Sequence, residues 1–148
     1  MFKGPLEDRI AIRELCETYA DAVVRADAED WGKVWTEDAH WELMGTKTDG
    51  REAIVAFWQQ AMSGLEAVSF QCMPSSLEVD GDRASGRCQT QEYMKIKDGT
   101  TRAIGGLYED KMVRVGGVWL FSERVYRIVA EYQPAQSQTG GARAWPSS

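Results

Sequence analysis

The sequence predicts an α+β fold, a cone-shaped barrel in which three N-terminal helices pack on a strongly curved, mostly antiparallel sheet. Three long strand patterns fill the C-terminal half, at residues 87–97, 101–115 and 118–131. The turns between them, at residues 97–99 and 116–117, suit tight antiparallel reversals. Strands so much longer than the usual length of about five or six residues must bend, and only the preceding helices can cover their concave face.

A glycine pair marks the expected bend. Gly105 and Gly106 lie in the middle of the second long strand, where consecutive glycines indicate a bend or a bulge. The space between the helices and the concave face of the sheet is therefore the expected position of a functional pocket.

Each of the three helical patterns has an apolar inward side. The first helix, about twenty residues long, follows Pro5. The second is capped by Asp27 or Asp30 and ends at residues 36–38, and the third is capped by Thr48 or Asp49. The inward residues are Ile12, Leu15, Tyr19, Val23 and Ala26 in the first helix, Trp31, Val34 and Trp35 in the second, and Ile54, Phe57, Trp58, Ala61 and Met62 in the third.

Two further strand patterns lie outside the long meander. One spans residues 39–44, and the other spans residues 68–79 with a break near residues 74–76. After Tyr132 the composition changes to Gln, Ser, Gly, Ala and Pro. We therefore expect one domain over residues 1–133 and a flexible C-terminal tail over residues 134–148.

Charge and composition restrict the class of partner. The 148 residues include 17 Lys and Arg against 23 Asp and Glu, giving a net charge of -6, and no run of basic residues occurs. This balance argues against nucleic acid and against an anionic membrane as partner, so a small hydrophobic molecule is expected. No apolar run approaches the ~20 residues of a membrane span, and the N-terminus lacks the apolar core of a signal peptide. We expect a cytoplasmic protein.

The cysteines indicate packed thiols. Cys16, Cys72 and Cys88 form no CxxC pair, and an odd number of cysteines fits reduced, buried thiols better than a disulfide framework. One histidine and scattered carboxylates supply no dense ligand set, so neither a metal ion nor another cofactor is expected.

Five segments, in order along the chain, resemble one protein family. They are residues 19–22 (YADA), 30–41 (DWGKVWTEDAHW), 50–54 (GREAI), 79–84 (VDGDRA) and 117–121 (GVWLF). Together they resemble the SnoaL-like branch of the nuclear-transport-factor-like superfamily, which has the cystatin-like α+β cone fold. Members include scytalone dehydratase, bile acid 7α-dehydratase and hexachlorocyclohexane dehydrochlorinase. The resemblance implies the fold more specifically than the chemistry.

The resemblance also implies where a catalytic pair would lie, and this chain departs from the pattern. The dehydratase and dehydrochlorinase members use an Asp on the first helix and a His near the strand after the third helix. Counted from the matching motifs, these positions are Val24 and Phe70. Both are apolar, so the family mechanism cannot be copied to this chain.

The remaining polar candidates come from five elements. The dehydratases have a Tyr at the position of Tyr19, the bile acid enzyme has an Asp at the position of Glu92, and the dehydrochlorinase has a pocket Arg at the position of Arg124. Tyr108 would face inward from the middle strand, and His40 is the only histidine. The remaining expected substrate contacts are Val24, Trp41, Phe70, Thr90, Ile104, Gly106 and Ile128.

These residues predict general acid-base chemistry. An apolar cavity would raise the pKa of Glu92 and make it a general base, while a nearby Arg124 would lower that pKa, so the sequence leaves the net shift open. Tyr19 and Tyr108 would donate hydrogen bonds to an oxygen that gains charge. The expected activity is that of a cofactor-independent lyase or isomerase. It would remove water, halide or a small carbonyl fragment from a hydrophobic substrate that is aromatic, polyketide-like or steroid-like.

Other interpretations stay open for each residue. Glu92 could lie on the outer face and pair with Lys111 or Arg102, and Arg124 could anchor a helix end. Tyr19 and Tyr108 could be ordinary core residues, and His40 could be partly exposed. The whole chain could also be a non-catalytic ligand-binding or assembly subunit, like the small subunits of ring-hydroxylating dioxygenases.

The outer face of the sheet predicts an oligomer. The alternating residues on that face are apolar enough to form a patch that needs covering, and a homodimer through the sheet would bury it. They are Val113, Val115, Leu120, Val125 and Val129.

Overall fold

Three helices cover one face of a seven-stranded sheet in the computed structural model, which describes residues 1–132. The helices are α1 Leu6–Arg25, α2 Ala28–Lys33 and α3 Arg51–Met62. The strands are β1 Phe2–Lys3, β2 Trp35–Leu43, β3 Thr46–Asp49, β4 Leu65–Asp80, β5 Arg83–Ile96, β6 Thr101–Val115 and β7 Val118–Tyr132. The predicted fold class is confirmed, and the tail predicted over residues 134–148 lies outside the described residues.

The sheet is mostly antiparallel, as predicted. The strand order is β1-β4-β5-β6-β7-β2-β3, and the four long strands β4 to β7 pair antiparallel in sequence order. Two pairings near the ends of the sheet differ, because β1 pairs with β4 and β2 pairs with β7 in parallel. The pairing of β6 with β7 shifts register between Gly105 and Gly106, so the predicted bulge is present.

Several predicted boundaries were wrong. The segment predicted as a broken strand at 68–79 belongs to one continuous strand of 16 residues, β4. Its pairing with β5 shifts register between Leu65 and Ala67 and, at the predicted break, between Pro74 and Ser76. The second helix ends at Lys33, and β2 already begins at Trp35, because residues 35–43 pair with β7 and β3. The sequence analysis missed β3, a short polar edge strand without apolar alternation.

The helix termini explain how the chain turns back on itself. Ala26 has a φ of 53° and ends α1 in the left-handed conformation, so it lies outside the apolar stripe in which it was predicted. Asp27 then caps α2 by accepting a hydrogen bond from the Asp30 backbone N–H at 3.0 Å. Among the described residues, no helix is long and apolar enough to cross a membrane.

Aromatic side chains fill the narrow part of the core. Trp31 stacks on Trp58 with ring centroids 4.6 Å apart, and Trp35 and Phe121 are fully buried beside them. Tyr19 contacts Trp31 from α1 at 5.4 Å between ring centroids. This packing joins all three helices to the sheet.

The Tyr126 ring packs directly on Gly106, and we predict that the Gly106→Ala variant is less stable than the wild type. A Cβ atom at this position would overlap the ring and hydroxyl of Tyr126, whereas a Cβ atom at Gly105 would lie 3.9 Å from the nearest atom, the Ala130 carbonyl oxygen. We expect Gly106→Ala to lower the free energy of unfolding by about 1–3 kcal/mol. The matched variant Gly105→Ala should change it by less than about 1 kcal/mol. Urea denaturation measures both, and equal effects would contradict the close approach.

The outer face of the sheet is less continuously apolar than the sequence predicted. Val115 and Val129 are exposed, but ion pairs lie on the same strands, with Lys111 bonded to Glu123 at 3.0 Å. A second such pair joins Arg127 and Glu109 at 3.5 Å. The homodimer through this face stays a prediction.

Candidate active site

A cavity of about 270 Å³ lies between the helices and the concave face of the sheet, where the sequence predicted a pocket. Its walls come from α1, α3 and strands β2 and β4 to β7. The apolar lining residues are Val23, Trp41, Leu43, Met44, Trp58, Ala61, Met62, Leu65, Val68, Phe70, Met94, Ile104 and Ile128. The polar ones are Tyr19, Glu92, Arg102, Tyr108 and Tyr126. A few polar groups in an apolar shell are typical of a small-molecule site.

Glu92 is the one carboxylate among the described residues of the lining. It lies on β5 between its Cα partners Phe70 on β4 and Ile104 on β6. Its Oε1 accepts a hydrogen bond of 2.7 Å from the hydroxyl of Tyr126. Burial raises the pKa of Glu92, while the Tyr126 hydrogen bond and the charge of Arg102 oppose that rise. The net direction is upward, which is the direction a general base at neutral pH requires.

Tyr19 and Tyr108 form a hydrogen-bonded pair of phenols on another part of the wall. Their hydroxyl oxygens are 3.1 Å apart, and both side chains are buried. Burial raises the pKa of both hydroxyls, so both phenols stay protonated at neutral pH and can act as donors. The Tyr108 ring also packs on the Tyr126 ring at 4.8 Å, which places the phenol pair next to the group that holds Glu92.

Tyr126 is a site residue whose role the sequence analysis did not assign. It lines the cavity and donates the only side-chain hydrogen bond that Glu92 receives among the described residues. Period-two alternation from Ile128 already placed it on the inward face of β7. The hydrogen bond itself depends on the glycine at position 106, over which the Tyr126 ring lies.

Arg124 does not line the cavity. Its side chain is fully buried beneath the phenols, with the guanidinium carbon 3.8 Å from the Tyr108 ring centroid and 4.4 Å from that of Tyr19. Asp110, its partner in the β6–β7 ladder, accepts two hydrogen bonds from it at 2.8 Å and 3.0 Å. Burial raises the pKa of Asp110 and the guanidinium opposes that rise. Arg124 therefore supports the phenols from behind.

Two other candidates lie outside the cavity. Val24 is 50% exposed, and Val23 lines the cavity instead, because adjacent helical residues point about 100° apart. His40 faces away from its neighbour Trp41, and its Nδ1 lies 2.6 Å from Asp49 Oδ1 on the paired strand β3. The alternation of side chains along β2 explains why Trp41, and not His40, reaches the cavity.

The remaining predicted substrate contacts divide into two groups. Trp41, Phe70, Ile104 and Ile128 all line the cavity. Thr90 and Gly106, which are ladder partners, lie in the sheet below the Tyr126 ring and do not line it.

Removing the Tyr126 hydroxyl should shift the pH dependence of activity. The hydroxyl stabilises the ionised form of Glu92, so Tyr126→Phe should raise the pKa of Glu92 further. The acid limb of a kcat/KM profile should then move to higher pH. Tyr93→Phe is the matched control, because Tyr93 follows Glu92 on β5 and its side chain is exposed on the opposite face of that strand. An acid limb that stays in place or moves to lower pH would contradict the assigned hydrogen bond.

The fold is that of a cone-shaped α+β protein with a cavity between its helices and its sheet. The family model described as "SnoaL-like domain" matches residues 4–125. The chain belongs to this SnoaL-like family. None of the curated proteins gives a significant match to it.

Solved structures support the same fold. A Novosphingobium aromaticivorans protein described as an aromatic ring hydroxylase has a TM-score of 0.82 at 26% identity, covering 88% of this chain and 96% of its own. Hexachlorocyclohexane dehydrochlorinase type 2 has a TM-score of 0.82 at 19% identity, covering 94% and 97%. An N. aromaticivorans protein described as a scytalone dehydratase has a TM-score of 0.77 at 19% identity, covering 86% of this chain and 88% of its own. Identities of 19% establish the common fold alone.

Proposed function

We propose that this protein is a cofactor-independent lyase or isomerase in which Glu92 is the general base. The observation that carries the proposal is a carboxylate in an apolar cavity, held by one phenol and with a raised pKa. The elimination chemistry named for two structural relatives, a dehydratase and a dehydrochlorinase, agrees with this role.

Proton abstraction is the first step of the proposed reaction. The ionised Glu92 takes a proton from a carbon next to an activating group, and the C–H electron pair moves toward the neighbouring carbon. In an elimination that pair forms a double bond as halide leaves as an anion, or as a hydroxyl group takes the proton now held by Glu92 and leaves as water. In an isomerisation the proton returns at another carbon. A carboxylate of raised pKa is more basic than an exposed one, and such a base contributes roughly 10²- to 10⁴-fold.

The phenol pair is the proposed electrophilic part of the site. Tyr19 and Tyr108 share one hydrogen bond, which leaves one hydroxyl proton available for a substrate oxygen. Negative charge that develops on a carbonyl or leaving oxygen would be stabilised there, more strongly than in bulk water because both phenols are buried. The Arg124 guanidinium behind both rings favours the same charge.

The cavity supports a small hydrophobic substrate. Aromatic side chains on the wall, among them Trp41, Trp58 and Phe70, favour a flat or ring-containing molecule. Arg102 is the only cation in the described lining, and it is bonded to Glu131 at 2.7 Å. We therefore propose an aromatic, polyketide-like or steroid-like substrate with an oxygen or halogen leaving group, or one that loses a small carbonyl fragment.

A non-catalytic role is the second candidate. A relative at 26% identity is described as an aromatic ring hydroxylase, and this chain could accompany such an enzyme as a non-catalytic assembly or ligand-binding subunit. Such a subunit needs no base in an open cavity. A carboxylate buried beside the cavity lowers stability, because it is partly removed from water. A group with such a cost is more readily explained by a function, which favours the catalytic proposal.

The test is hydrogen exchange and elimination on a panel of probes. Aryl ketones, aryl-substituted alcohols and cyclic halides are incubated with the protein in D₂O, and mass spectrometry detects deuterium gain or loss of water or halide. We expect at least one probe to react with the wild type and with Glu109→Gln, an exposed β6 variant, and not with Glu92→Gln. Probes that bind in the cavity and neither exchange nor eliminate would instead support the non-catalytic subunit.

A further inference from the structure

Three cysteines from three separate elements meet in the core outside the active-site cavity. Cys16 lies on α1, Cys72 on β4 and Cys88 on β5, and all three are buried free thiols. Their Sγ atoms all lie within 4.8 Å of one another, and those of Cys16 and Cys88 are 3.5 Å apart. The spacing of the cysteines does not predict this cluster, because they are far apart along the chain.

The guanidinium group of Arg124 lies against the cysteine cluster. The Nη2 atom of Arg124 donates to Cys72 Sγ at 3.5 Å, and its Nη1 atom is buried without a hydrogen-bond partner among residues 1–132. Through Cys72, the cluster therefore lies in contact with a fully buried positive charge.

We propose that Cys16, Cys72 and Cys88 form a binding site for trivalent arsenic, with one As–S bond from each cysteine. Bonds of ~2.3 Å, the length found in zinc thiolates, hold three sulfurs about 4 Å apart or less around one central atom. The observed separations are close to this arrangement, so filling the site requires only a small contraction of the cluster.

Charge balance selects a trivalent centre over a divalent metal ion. The positive charge of Arg124 is already matched by the carboxylate of Asp110, with which it is fully buried. Three thiolates around As(III) add no net charge to this pair. Three thiolates around Zn²⁺ would add one uncompensated negative charge to the core, which is unfavourable in a buried environment.

The binding reaction needs no oxidant or reductant. Arsenous acid, As(OH)₃, is uncharged at neutral pH, so it can enter an apolar core without bringing a net charge into it. Each of the three thiols gives its proton to one hydroxyl group of the acid, three As–O bonds break and three As–S bonds form. The products are the protein-bound As(III) and three molecules of water.

Thermal unfolding with sodium arsenite is the test, with a phosphine as reductant because dithiols compete for arsenic. At arsenite a hundredfold above its Kd, the melting temperature should rise by roughly 5 °C or more. Native mass spectrometry should show one arsenic atom gained and three hydrogens lost. Cys16→Ser, Cys72→Ser and Cys88→Ser should each abolish the rise, with Cys72→Ala as a substitute if a buried hydroxyl prevents folding.

Met112→Leu is the matched control, since it changes a buried β6 side chain of the same core and keeps all three thiols. It should retain the arsenite shift. The proposal is overturned if arsenite leaves the melting temperature unchanged or lowers it, as binding to the unfolded chain alone would. A shift that survives in the single cysteine variants, or a larger shift with Zn²⁺ than with arsenite, would also overturn it.

Discussion

Replacement of Glu92 by Gln lowers kcat/KM by roughly 10²- to 10⁴-fold, the contribution typical of a positioned general base. Gln has nearly the shape of Glu and its amide oxygen can still accept the Tyr126 hydrogen bond, so the cavity keeps its form. The variant loses only the ability to take a proton. Steady-state kinetics on the reactive probe of the panel measure the loss.

Stability separates this loss of function from a loss of fold. Because burial raises the pKa of Glu92, the folded protein binds that proton more tightly than the unfolded chain does. The ionised carboxylate therefore destabilises the fold increasingly as the pH rises from the unfolded to the folded pKa. At pH 7, Glu92→Gln should be at least as stable as the wild type.

Full activity in Glu92→Gln would remove this residue from the mechanism. Equal losses in Glu92→Gln and in the control Glu109→Gln would also contradict the assignment, because Glu109 is 60% exposed on the outer face and pairs with Arg127.

Replacement of Arg124 by Met lowers the free energy of unfolding by about 3–5 kcal/mol, because it leaves the Asp110 carboxylate buried without its partner. Both side chains of this pair are 0% exposed, and no water can replace the guanidinium without rearrangement of the core. Urea denaturation at neutral pH measures the change.

Two variants make the interpretation specific. Lys111→Met breaks an exposed ion pair with Glu123 on the same two strands, and it should cost less than about 1 kcal/mol. Arg124→Met combined with Asp110→Leu removes both charges and should recover most of the lost stability. If Arg124→Met lowers the free energy of unfolding no more than Lys111→Met does, the buried pair of Arg124 and Asp110 does not carry a desolvated charge.

The long strands were predictable because their signals are local. The bounds of β6, Thr101–Val115, follow from its flanking turns, and the bulge follows from the glycine pair at 105 and 106. By contrast, β3 and the first half of β2 are strands because of their neighbours. Their sequences carry no period-two pattern, and the pairing of β3 with β2 and of β2 with β7 outweighs local preference.

The inward direction of Glu92 was predictable from alternation along β5, but its hydrogen-bond partner was not. Tyr126 reaches Glu92 only because its ring crosses over Gly106, which is a three-strand relation that no spacing in the sequence reports. Arg124 illustrates the opposite case. Alternation places it inward correctly, yet Asp110 directly across the ladder holds it in the core instead of the cavity.

Helix geometry explains the error at Val24. A difference of one residue turns a helical side chain by about 100°, so counting from a motif found the right turn of α1 and the wrong face. His40 was a candidate because it is the only histidine in the chain, but strand alternation and the Asp49 contact direct its side chain away from the cavity.

The carbon-13 titration of the Glu92 side-chain carboxyl tests the central claim most directly, and it needs no substrate. The Glu92 signal is assigned by its absence in Glu92→Gln. A midpoint clearly above the ordinary value of about 4.3, and a higher one in Tyr126→Phe, is the predicted result. A midpoint at or below that ordinary value, unchanged in Tyr126→Phe, would contradict a buried base held by Tyr126.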